Sequence, residues 1–321
     1  MPPGVIVMTR FHRVVALGAF LLGMSFASGL YAGDIDGAPG ASAVERGEYL
    51  LRAGGCRTCH TDRAGGGTPL AGGRALESPY GVFYSPNITP DPKFGIGLWS
   101  DEDFIDAMRH GRSPEGRTYY PAFPYTAYTR LSGRDILDIK AYLFSVAPVA
   151  AANKEQDLRF PFSWRFSLYP WRWFFFNDGP MAPDAALSST VARGAYLVNA
   201  LGHCAECHTP RNLVGGLKAA RPLAGTRYGP GGAVVPNITP DSETGIGDWS
   251  ASDLVFFFRT GLKPDGDDVT GEMREAIEDG LQHLSNEDLA AIAAYLLQLE
   301  PIHNPVRRRV KSAPAQSYDE W

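Results

Sequence analysis

The sequence predicts a mainly α-helical protein with two tandem, homologous domains joined by an aromatic-rich linker. The main observation is an internal repeat with a period of about 150 residues, which indicates a duplicated unit. Residues 46–50 (RGEYL) return as residues 193–197 (RGAYL), and the hexapeptide PNITPD occurs unchanged at 86–91 and 236–241. The predicted segments are the domains 43–150 and 188–303 and, between them, the linker 151–187.

Matching signals for helix starts and ends are the second observation, and each copy contains three predicted helices. The first helix, over 44–54 in one copy and 191–202 in the other, ends at glycines, as helix C-termini often do. Gly111 and Gly261 end the middle helices in the same way. The N-caps predicted for the middle and last helices, each with an aspartate three positions later, are Ser100, Ser132, Ser250 and Ser285.

The last helix of each copy has one apolar face, because its large aliphatic residues recur at helical spacing. These residues are Ile136, Ile139 and Leu143 in the first copy and Leu289, Ile292 and Leu296 in the second. The 25 prolines and 36 glycines predict many turns between short helices.

Each copy also contains a Cys-Xxx-Xxx-Cys-His pentapeptide, at 56–60 and 204–208, and these use all four cysteines of the chain. This spacing is typical of c-type haem attachment. Two thiols three positions apart form thioethers to the vinyl groups of one porphyrin, and the adjacent histidine becomes an axial iron ligand. A zinc site would gather four ligands in one place, and a redox-active cysteine pair would not need the histidine twice.

The pentapeptides therefore predict two covalently bound haem c groups. The cysteines predicted to bind them are Cys56, Cys59, Cys204 and Cys207, and the predicted proximal iron ligands are His60 and His208. We also expect the carbonyl oxygen of Pro210 to accept a hydrogen bond from the second ring nitrogen of His208, which would fix the orientation of the ring.

The mature chain resembles the di-haem members of the cytochrome c family, and in particular the cytochrome subunits of periplasmic alcohol and aldehyde dehydrogenases. The resemblance rests on the two pentapeptides with their flanks, on the repeated segments PNITPD and GIGxWS, and on YPAFPY at 120–125. It implies two tandem cytochrome c-type domains and a role in electron transfer. Those subunits often have three haem domains, whereas this chain has two.

In the second domain, the resemblance places the sixth iron ligand in the irregular stretch after the middle helix. Met273 lies there, in Gly271-Glu272-Met273, and no methionine other than Met273 follows Met181. We therefore predict Met273 as the second axial ligand of this haem, since the pair of His and Met raises the potential of an electron-transfer haem.

The first domain departs from the family pattern, because Phe123 stands where the family segment has its methionine, and phenylalanine cannot bind iron. The open alternatives for the sixth position are Met108, His110, Tyr120, Tyr125 or a vacant site shielded by Phe123. We expect Met108 to be a core residue of the middle helix and His110 to be exposed. Because axial ligands shift haem potentials over about 0.8 V, the first haem should differ from the second in potential and spectrum.

The N-terminus predicts export. Arg10 and Arg13 precede an apolar run over 14–30, which is typical of a secretory signal peptide, here assigned to residues 1–32. The run is also long enough to remain as a membrane anchor, which is the second interpretation. The expected location is the periplasm, where haem c is attached. Loss of the two arginines would change the formal net charge from −5 to about −7, and such an acidic chain is a poor nucleic-acid binder.

The linker 151–187 contains three of the six tryptophans, within a run of aromatic residues over 160–176. A free linker is rich in Gly, Ser or charge, so we expect this one to be buried across both domains, where it would set the distance between the haems. The alternative is an aromatic surface that docks on a partner subunit or on the membrane. The tail 304–321, with its basic run at 307–311, is predicted to be extended.

These features predict an electron carrier that accepts electrons from an exported dehydrogenase subunit and passes them to a redox acceptor, which is another cytochrome, a quinone or an oxidase. No nucleophile elbow, zinc-protease motif or nucleotide-binding loop is present, so an electron-transfer subunit is favoured over an enzyme. The alternative is a peroxidase-like haem enzyme that uses the first haem, which lacks an obvious methionine ligand.

Overall fold

The structure, a computed structural model, describes residues 41–306. This part of the chain is rich in helices, as predicted, and it also contains one small sheet, which was not predicted. The helices are α1 (Ala43–Ala53), α2 (Cys56–Cys59), α3 (Asp101–Ile105), α4 (Tyr125–Tyr128), α5 (Gly133–Ser145), α6 (Leu168–Phe175), α7 (Ser189–Tyr196), α8 (Ala205–His208), α9 (Ala251–Thr260), α10 (Glu272–Asp279) and α11 (Asn286–Leu297). The antiparallel sheet has the strand order β1 (Ala75–Ser78), β2 (Gly81–Tyr84) and β3 (Asp157–Leu158). We refer to residues 43–150 as the first repeat and to residues 188–303 as the second repeat.

The helix-start signals read from the sequence are confirmed. The side chains of Ser100 and Ser250 each form a complete capping box with the aspartate three residues later, and the side chains of Ser132 and Ser285 cap α5 and α11. The helix-stop signal at Gly111 is also confirmed: α3 continues as a π-helical turn, Asp106–His110, and Gly111 ends it with a φ of 59°. α9 ends at Gly261 with a φ of 81°.

The first and last helices of each repeat cross at a glycine. Gly47 of α1 lies against the carbonyl oxygen of Asp138 on α5, and Gly194 of α7 lies against the carbonyl oxygen of Ala291 on α11. A Cβ atom at either glycine would overlap that oxygen. These two glycines occupy equivalent positions in the repeated RGxYL segment, so the same close helix crossing is built twice.

Replacing Gly47 with alanine is therefore expected to force α1 and α5 apart and to lower the free energy of unfolding by about 3 kcal/mol. Gly133→Ala is the matched control, because a Cβ atom there meets nothing closer than the Arg109 side chain at 3.7 Å. Thermal unfolding of the two variants checks the prediction. Equal melting temperatures for Gly47→Ala and Gly133→Ala would contradict it.

The two repeats exchange tyrosine contacts. The hydroxyl group of Tyr49 in the first repeat donates to Asp288 (2.6 Å) and accepts from the backbone N–H of Ser285 (3.1 Å), at the start of α11. The hydroxyl group of Tyr196 in the second repeat donates to Asp135 and accepts from the N–H of Ser132 (3.1 Å), at the start of α5. Each repeat thus completes the N-terminus of the other repeat's last helix.

The Tyr49 contact predicts a pH-dependent loss of stability in Tyr49→Phe. Burial raises the pKa of Asp288, but hydrogen bonds from Arg193 and Tyr49 outweigh it and leave the pKa lowered. A carboxylate with a lowered pKa contributes stability above its unfolded pKa of about 3.9, and this contribution disappears as the pH falls through the lower, folded value. We expect Tyr49→Phe to cost about 1.5–3 kcal/mol at neutral pH and much less in acid, where Asp288 is protonated.

Denaturant unfolding of the wild type and of Tyr49→Phe at several pH values measures this difference. Tyr228→Phe is the control, because Tyr228 is 83% exposed and its loss of a hydroxyl group should be neutral at every pH. A Tyr49→Phe deficit that does not shrink even at a pH low enough to protonate Asp288 in the folded protein would show that the tyrosine does not act through the ionised Asp288.

One hydrophobic cluster runs through both repeats in the described part of the chain. It includes Leu50 and Ile136 from the first repeat and Leu197 and Leu289 from the second. All six aliphatic residues predicted for the apolar faces of α5 and α11 are buried: Ile136, Ile139, Leu143, Leu289, Ile292 and Leu296. Between residues 41 and 306 no helix has both the length and the apolar character to cross a bilayer.

The aromatic run within 151–187 is only partly buried, whereas we expected it to be buried across both domains. On one side, Leu168 is buried, Phe162 packs on Tyr80 with ring centroids 4.5 Å apart, and β3 adds to the sheet of the first repeat through β2. Six other aromatic side chains of the run, described below, are exposed to solvent. The predicted signal segment 1–32 and the basic run 307–311 lie outside the described residues.

Candidate haem-attachment sites

The first pentapeptide forms a single helical turn. Cys56–Cys59 make up α2, which begins after Gly55, whose φ of 63° suits glycine, and ends at His60. Both cysteines are half-buried, and neither is part of a disulfide. The Nδ1 atom of His60 lies 2.7 Å from the carbonyl oxygen of Pro86.

The second pentapeptide has the same arrangement. Cys204 directly precedes α8, which contains Cys207 and ends at His208. The Nδ1 atom of His208 lies 2.8 Å from the carbonyl oxygen of Pro236. The expected hydrogen bond from His208 to Pro210 is wrong, because the Pro210 carbonyl accepts from the backbone N–H of Lys218 at 2.8 Å.

Pro86 and Pro236, which supply these carbonyl groups, are the first residues of the two copies of PNITPD. A carbonyl oxygen can only accept, so each histidine carries its proton on Nδ1 and keeps the Nε2 lone pair for a metal. Burial lowers the pKa of both His60 and His208, against the opposing effect of the carbonyl bond. Both rings are therefore neutral imidazoles, which is the form that binds iron.

The thiols are in surroundings that disfavour a charged sulfur. Burial raises the pKa of Cys56 to about 12, that of Cys204 to about 11 and that of Cys207 to about 12. Burial also raises the pKa of Cys59. Zinc binding and thiol–disulfide exchange both use the thiolate, whereas a thioether is uncharged. The donor set, with paired neutral sulfurs and a neutral imidazole, fits haem c.

The two pentapeptides lie beside each other. A Cβ atom on Gly54, two residues before Cys56, would lie 3.5 Å from the side chain of Leu201, and a Cβ atom on Gly202 would lie 3.8 Å from the carbonyl oxygen of Ala53. The chain segments that lead into the two sites are in direct contact, because Nε2 of His203, the residue before Cys204, lies 3.2 Å from the carbonyl oxygen of Gly54. The structure thus brings together two attachment sites that are about 150 residues apart in sequence.

A chain of aromatic residues connects the surroundings of the two sites. Phe123 packs on Tyr128 with ring centroids 5.7 Å apart, and Tyr128 packs edge-to-face on His203 at 5.5 Å. The hydroxyl group of Tyr128 donates to the carbonyl oxygen of Gly54 (2.9 Å), and Nε2 of His203 lies 3.2 Å from the same oxygen. Through the ring of Tyr128, Phe123 is therefore connected to Gly54, two residues before the first pentapeptide, and to His203, the residue before Cys204.

The alternatives for the sixth position of the first haem are held in different ways. Met108 is buried in the hydrophobic cluster, as expected for a core residue. His110 is half-buried rather than exposed, because its Nδ1 atom lies 2.9 Å from Asp178. The hydroxyl group of Tyr120 donates to the carbonyl oxygen of Phe162 at 3.0 Å.

Tyr125 is fully buried, and its hydroxyl group makes no hydrogen bond within residues 41–306. Burial raises the pKa of Tyr125, although Arg172, whose guanidinium carbon lies 5.0 Å from the ring centroid, lowers it. The phenol is therefore neutral at physiological pH. Of the four candidate side chains, Met108, His110 and Tyr120 are thus engaged with other parts of the chain.

Met273 lies in the first turn of α10, so its expected position in an irregular stretch is wrong. Contacts with the first repeat hold this helix. Asp279 at its end accepts from the hydroxyl group of Thr58 (3.1 Å) and pairs with Arg63, while Glu275 pairs with Arg74. Thr58 lies between the two cysteines of the first pentapeptide, so the helix that carries Met273 is docked on the first attachment site.

Sequence reasoning missed these contacts because they join residues more than 200 positions apart, such as Thr58 and Asp279 with a separation of 221. No local pattern marks Arg63, Arg74, Glu275 or Asp279. The histidine partners, by contrast, had a signal. The one hexapeptide that repeats without change, PNITPD, supplies both of the carbonyl groups.

No protein-family model matches the chain, but several curated proteins do. The Diheme cytochrome c-type protein of Cereibacter sphaeroides is 41% identical over 267 residues, which cover 81% of this chain and 86% of that protein. The gluconate 2-dehydrogenase cytochrome c subunit of Pantoea cypripedii is 44% identical over 264 residues. The alcohol dehydrogenase (quinone) cytochrome c subunit of Gluconobacter oxydans is 41% identical over 289 residues.

The matches to the two dehydrogenase subunits cover 80% and 88% of this chain, but each covers 59% of the subunit. This chain therefore spans about three fifths of their length. The similarity to the Cereibacter protein, in contrast, extends over most of both chains. Together with the paired pentapeptides and their matching histidine contacts, it shows that this chain belongs to the di-haem cytochrome c family and carries two covalently bound haem c groups.

Proposed function

We propose that this protein is an exported di-haem cytochrome that carries electrons from a periplasmic dehydrogenase to a downstream acceptor, which is another cytochrome, a quinone or an oxidase. Residues 43–150 and 188–303 would form two cytochrome c-type domains, joined by the linker 151–187. When bound, each haem iron supplies one-electron chemistry between the ferric and ferrous states. The polypeptide then contributes attachment, axial ligands, burial and spacing.

The residues proposed to hold the first haem are Cys56, Cys59 and His60, and those for the second haem are Cys204, Cys207 and His208, with Met273 as its sixth ligand. The observation that carries this assignment is the equivalent contact of His60 with Pro86 and of His208 with Pro236. Each contact leaves Nε2 unprotonated and orients the ring. The outer partner of a metal-bound histidine has this role in metalloproteins generally.

The arrangement of the two sites supports transfer of electrons within the chain. The segments before the pentapeptides touch, and one hydrophobic cluster encloses both repeats. Ion pairs to Arg63 and Arg74 tie the helix of Met273 to the first site. Two haems attached here would be held at a fixed separation, and no domain motion would be needed for an electron to pass between them.

A dehydrogenase partner is inferred from the names of the relatives, which include cytochrome subunits of gluconate, alcohol and fructose dehydrogenases. Since this chain spans about three fifths of two of those subunits, the partner's substrate is left open in the proposal. The peroxidase-like alternative gains no support from these relatives. We infer export from the predicted signal segment 1–32 and from the requirements of haem c attachment.

The proposal is tested with the holoprotein purified from a periplasmic extract. We expect both haems to be reduced by a low-potential donor and reoxidised by an added cytochrome c or quinone, without peroxide consumption. Periplasmic extracts from cells with and without the gene are then mixed with alcohols and sugars, and haem c reduction is followed. Rapid binding of carbon monoxide and cyanide together with peroxide turnover would contradict the electron-carrier function and support the peroxidase-like haem enzyme. Recovery of the protein only in the cytoplasm would refute export.

A further inference from the structure

Several aromatic side chains of the linker run are exposed to solvent, and we call them together the aromatic surface. Its six side chains, with exposed fractions from 64% to 81%, are Phe160, Trp164, Phe166, Tyr169, Trp173 and Phe174. A concentration of exposed aromatic rings on a soluble protein marks a binding surface, because burying them from water is strongly favourable.

Other side chains of the same run are anchored to both repeats. Leu168 is buried, and Phe176 packs edge-to-face on Tyr125 of the first repeat at 5.3 Å. The indole N–H of Trp171 donates to the carbonyl oxygen of Val214 in the second repeat (3.0 Å), and Phe175 covers Gly216. The run is therefore a fixed part of the fold, and its exposed rings are held in place rather than carried on a free linker.

The apolar surface continues into the second repeat at this contact. Val214, which accepts the hydrogen bond from Trp171, is 52% exposed, and the neighbouring Leu213 is 96% exposed. A leucine with almost its whole side chain in solvent projects from the surface and does not line a groove. Leu213 and Trp173, which is 81% exposed, are therefore side chains that can insert into an apolar environment outside the protein.

The charge of the region distinguishes between possible occupants. Between residues 159 and 176 the chain has three arginines, Arg159, Arg165 and Arg172, and no aspartate or glutamate, although its formal net charge is −5. Arg159 and Arg165 are exposed, whereas Arg172 is half-buried, with its guanidinium carbon 4.4 Å from the ring centroid of Phe176. Segments that combine Trp and Tyr with arginine and lack acidic residues favour the boundary between lipid headgroups and acyl chains.

We propose that the aromatic surface, extended by Leu213 and Val214, docks the protein on the surface of a phospholipid bilayer that contains anionic lipid. The rings of Trp164, Trp173 and Phe174 insert at the level of the headgroups. The exposed Arg159 and Arg165 lie beside the lipid phosphates, which places the acidic remainder of the molecule away from the anionic surface. This docking would confine the electron carrier to the membrane, where quinones reside.

The test is sedimentation of the holoprotein with vesicles of phosphatidylethanolamine and phosphatidylglycerol. We expect the wild type to bind, and Trp173→Ser/Phe174→Ser to bind about tenfold more weakly or worse, since each ring contributes its burial. Leu98→Ser is the matched control, because Leu98 is 78% exposed and precedes α3 in the first repeat, and we expect it to bind as the wild type does. All three proteins have the same N-terminus, and unchanged visible spectra show that they are folded and loaded with haem.

A second readout locates the contact. Hydroxyl-radical labelling followed by mass spectrometry should show protection of Trp164, Trp173 and Leu213 when vesicles are added, with Tyr228, which is 83% exposed, unprotected. Three results would overturn the proposal: no binding of the wild type, equal binding of Trp173→Ser/Phe174→Ser, or an equal loss in Leu98→Ser. If the double variant binds vesicles normally but no longer associates with itself or with a copurified dehydrogenase subunit, the surface is a protein interface.

Discussion

Replacing Met273 with leucine is expected to lower the midpoint potential of the second haem and to open its sixth position to carbon monoxide. Leucine keeps the size and apolar character of the side chain but has no sulfur to bind iron. Methionine opposite histidine raises a haem potential, and because axial ligands shift potentials over about 0.8 V, a change on the order of 0.1 V or more is expected. Redox titration followed at the haem bands measures it.

Met108→Leu is the matched control for this experiment. Met108 of the first repeat is buried in the hydrophobic cluster that runs through both repeats. An exchange of methionine for leucine there conserves volume and typically costs less than about 1.5 kcal/mol. Its potentials and carbon monoxide binding should therefore match those of the wild type. The reverse result, with a changed first haem in Met108→Leu and an unchanged second haem in Met273→Leu, would reassign both methionines.

Replacing both cysteines of one pentapeptide is expected to remove one of the two covalently attached haems. In Cys56→Ser/Cys59→Ser the first haem loses both thioethers, while Cys204 and Cys207 still attach the second. Mass spectrometry should find one macrocycle per chain where the wild type has two. The absorbance of the pyridine haemochrome per mole of protein should fall by half. Because the segments leading into the two sites touch, we also expect the variant to unfold at a lower temperature.

The control substitution lies inside the same pentapeptide. Arg57 stands between the two cysteines and is not part of the attachment pattern, so Arg57→Gln should retain both haems and the wild-type melting temperature. The proposed attachment residues would be contradicted if Cys56→Ser/Cys59→Ser still had two haems, or if Arg57→Gln lost one.

The docking of α10 links these two experiments. This helix carries Met273, and it is held on the first attachment site by Thr58, Arg63 and Arg74. Loss of the first haem can therefore disturb the axial ligand of the second, although the second pentapeptide itself is untouched. We expect a fraction of the remaining haem in Cys56→Ser/Cys59→Ser to bind carbon monoxide, as the second haem does in Met273→Leu.

Much of the fold was predictable because its determinants are local in sequence. A serine followed three residues later by aspartate satisfies the free N–H groups of a helix start, and this pattern located the beginnings of α3, α5, α9 and α11. A glycine with positive φ stops a helix, as at Gly111 and Gly261. The pentapeptides were recognisable for the same reason, since attachment to one porphyrin requires two cysteines and a histidine within a single turn.

The errors concern groups that meet across long sequence distances. The carbonyl partner of His208 was expected from the nearby Pro210, but it comes from Pro236. Met273 was expected in an irregular stretch, but pairing of Glu275 and Asp279 with the first repeat accompanies a helix there. The three-stranded sheet was not predicted, because its third strand, β3, has two residues and pairs with a hairpin more than 70 positions away.

The sequence by itself determined the helical character, the repeat, and the thiols and imidazoles available to two haems, since each depends on spacing along a few turns of chain. Only the tertiary structure decided which carbonyl orients each histidine. It also decided which helix starts Tyr49 and Tyr196 contact and which rings of the aromatic run face water. The physical reason is that an aromatic side chain gains free energy by leaving water in any environment that accepts it. The sequence shows that the rings are apolar, but only packing shows which of them the fold has already buried.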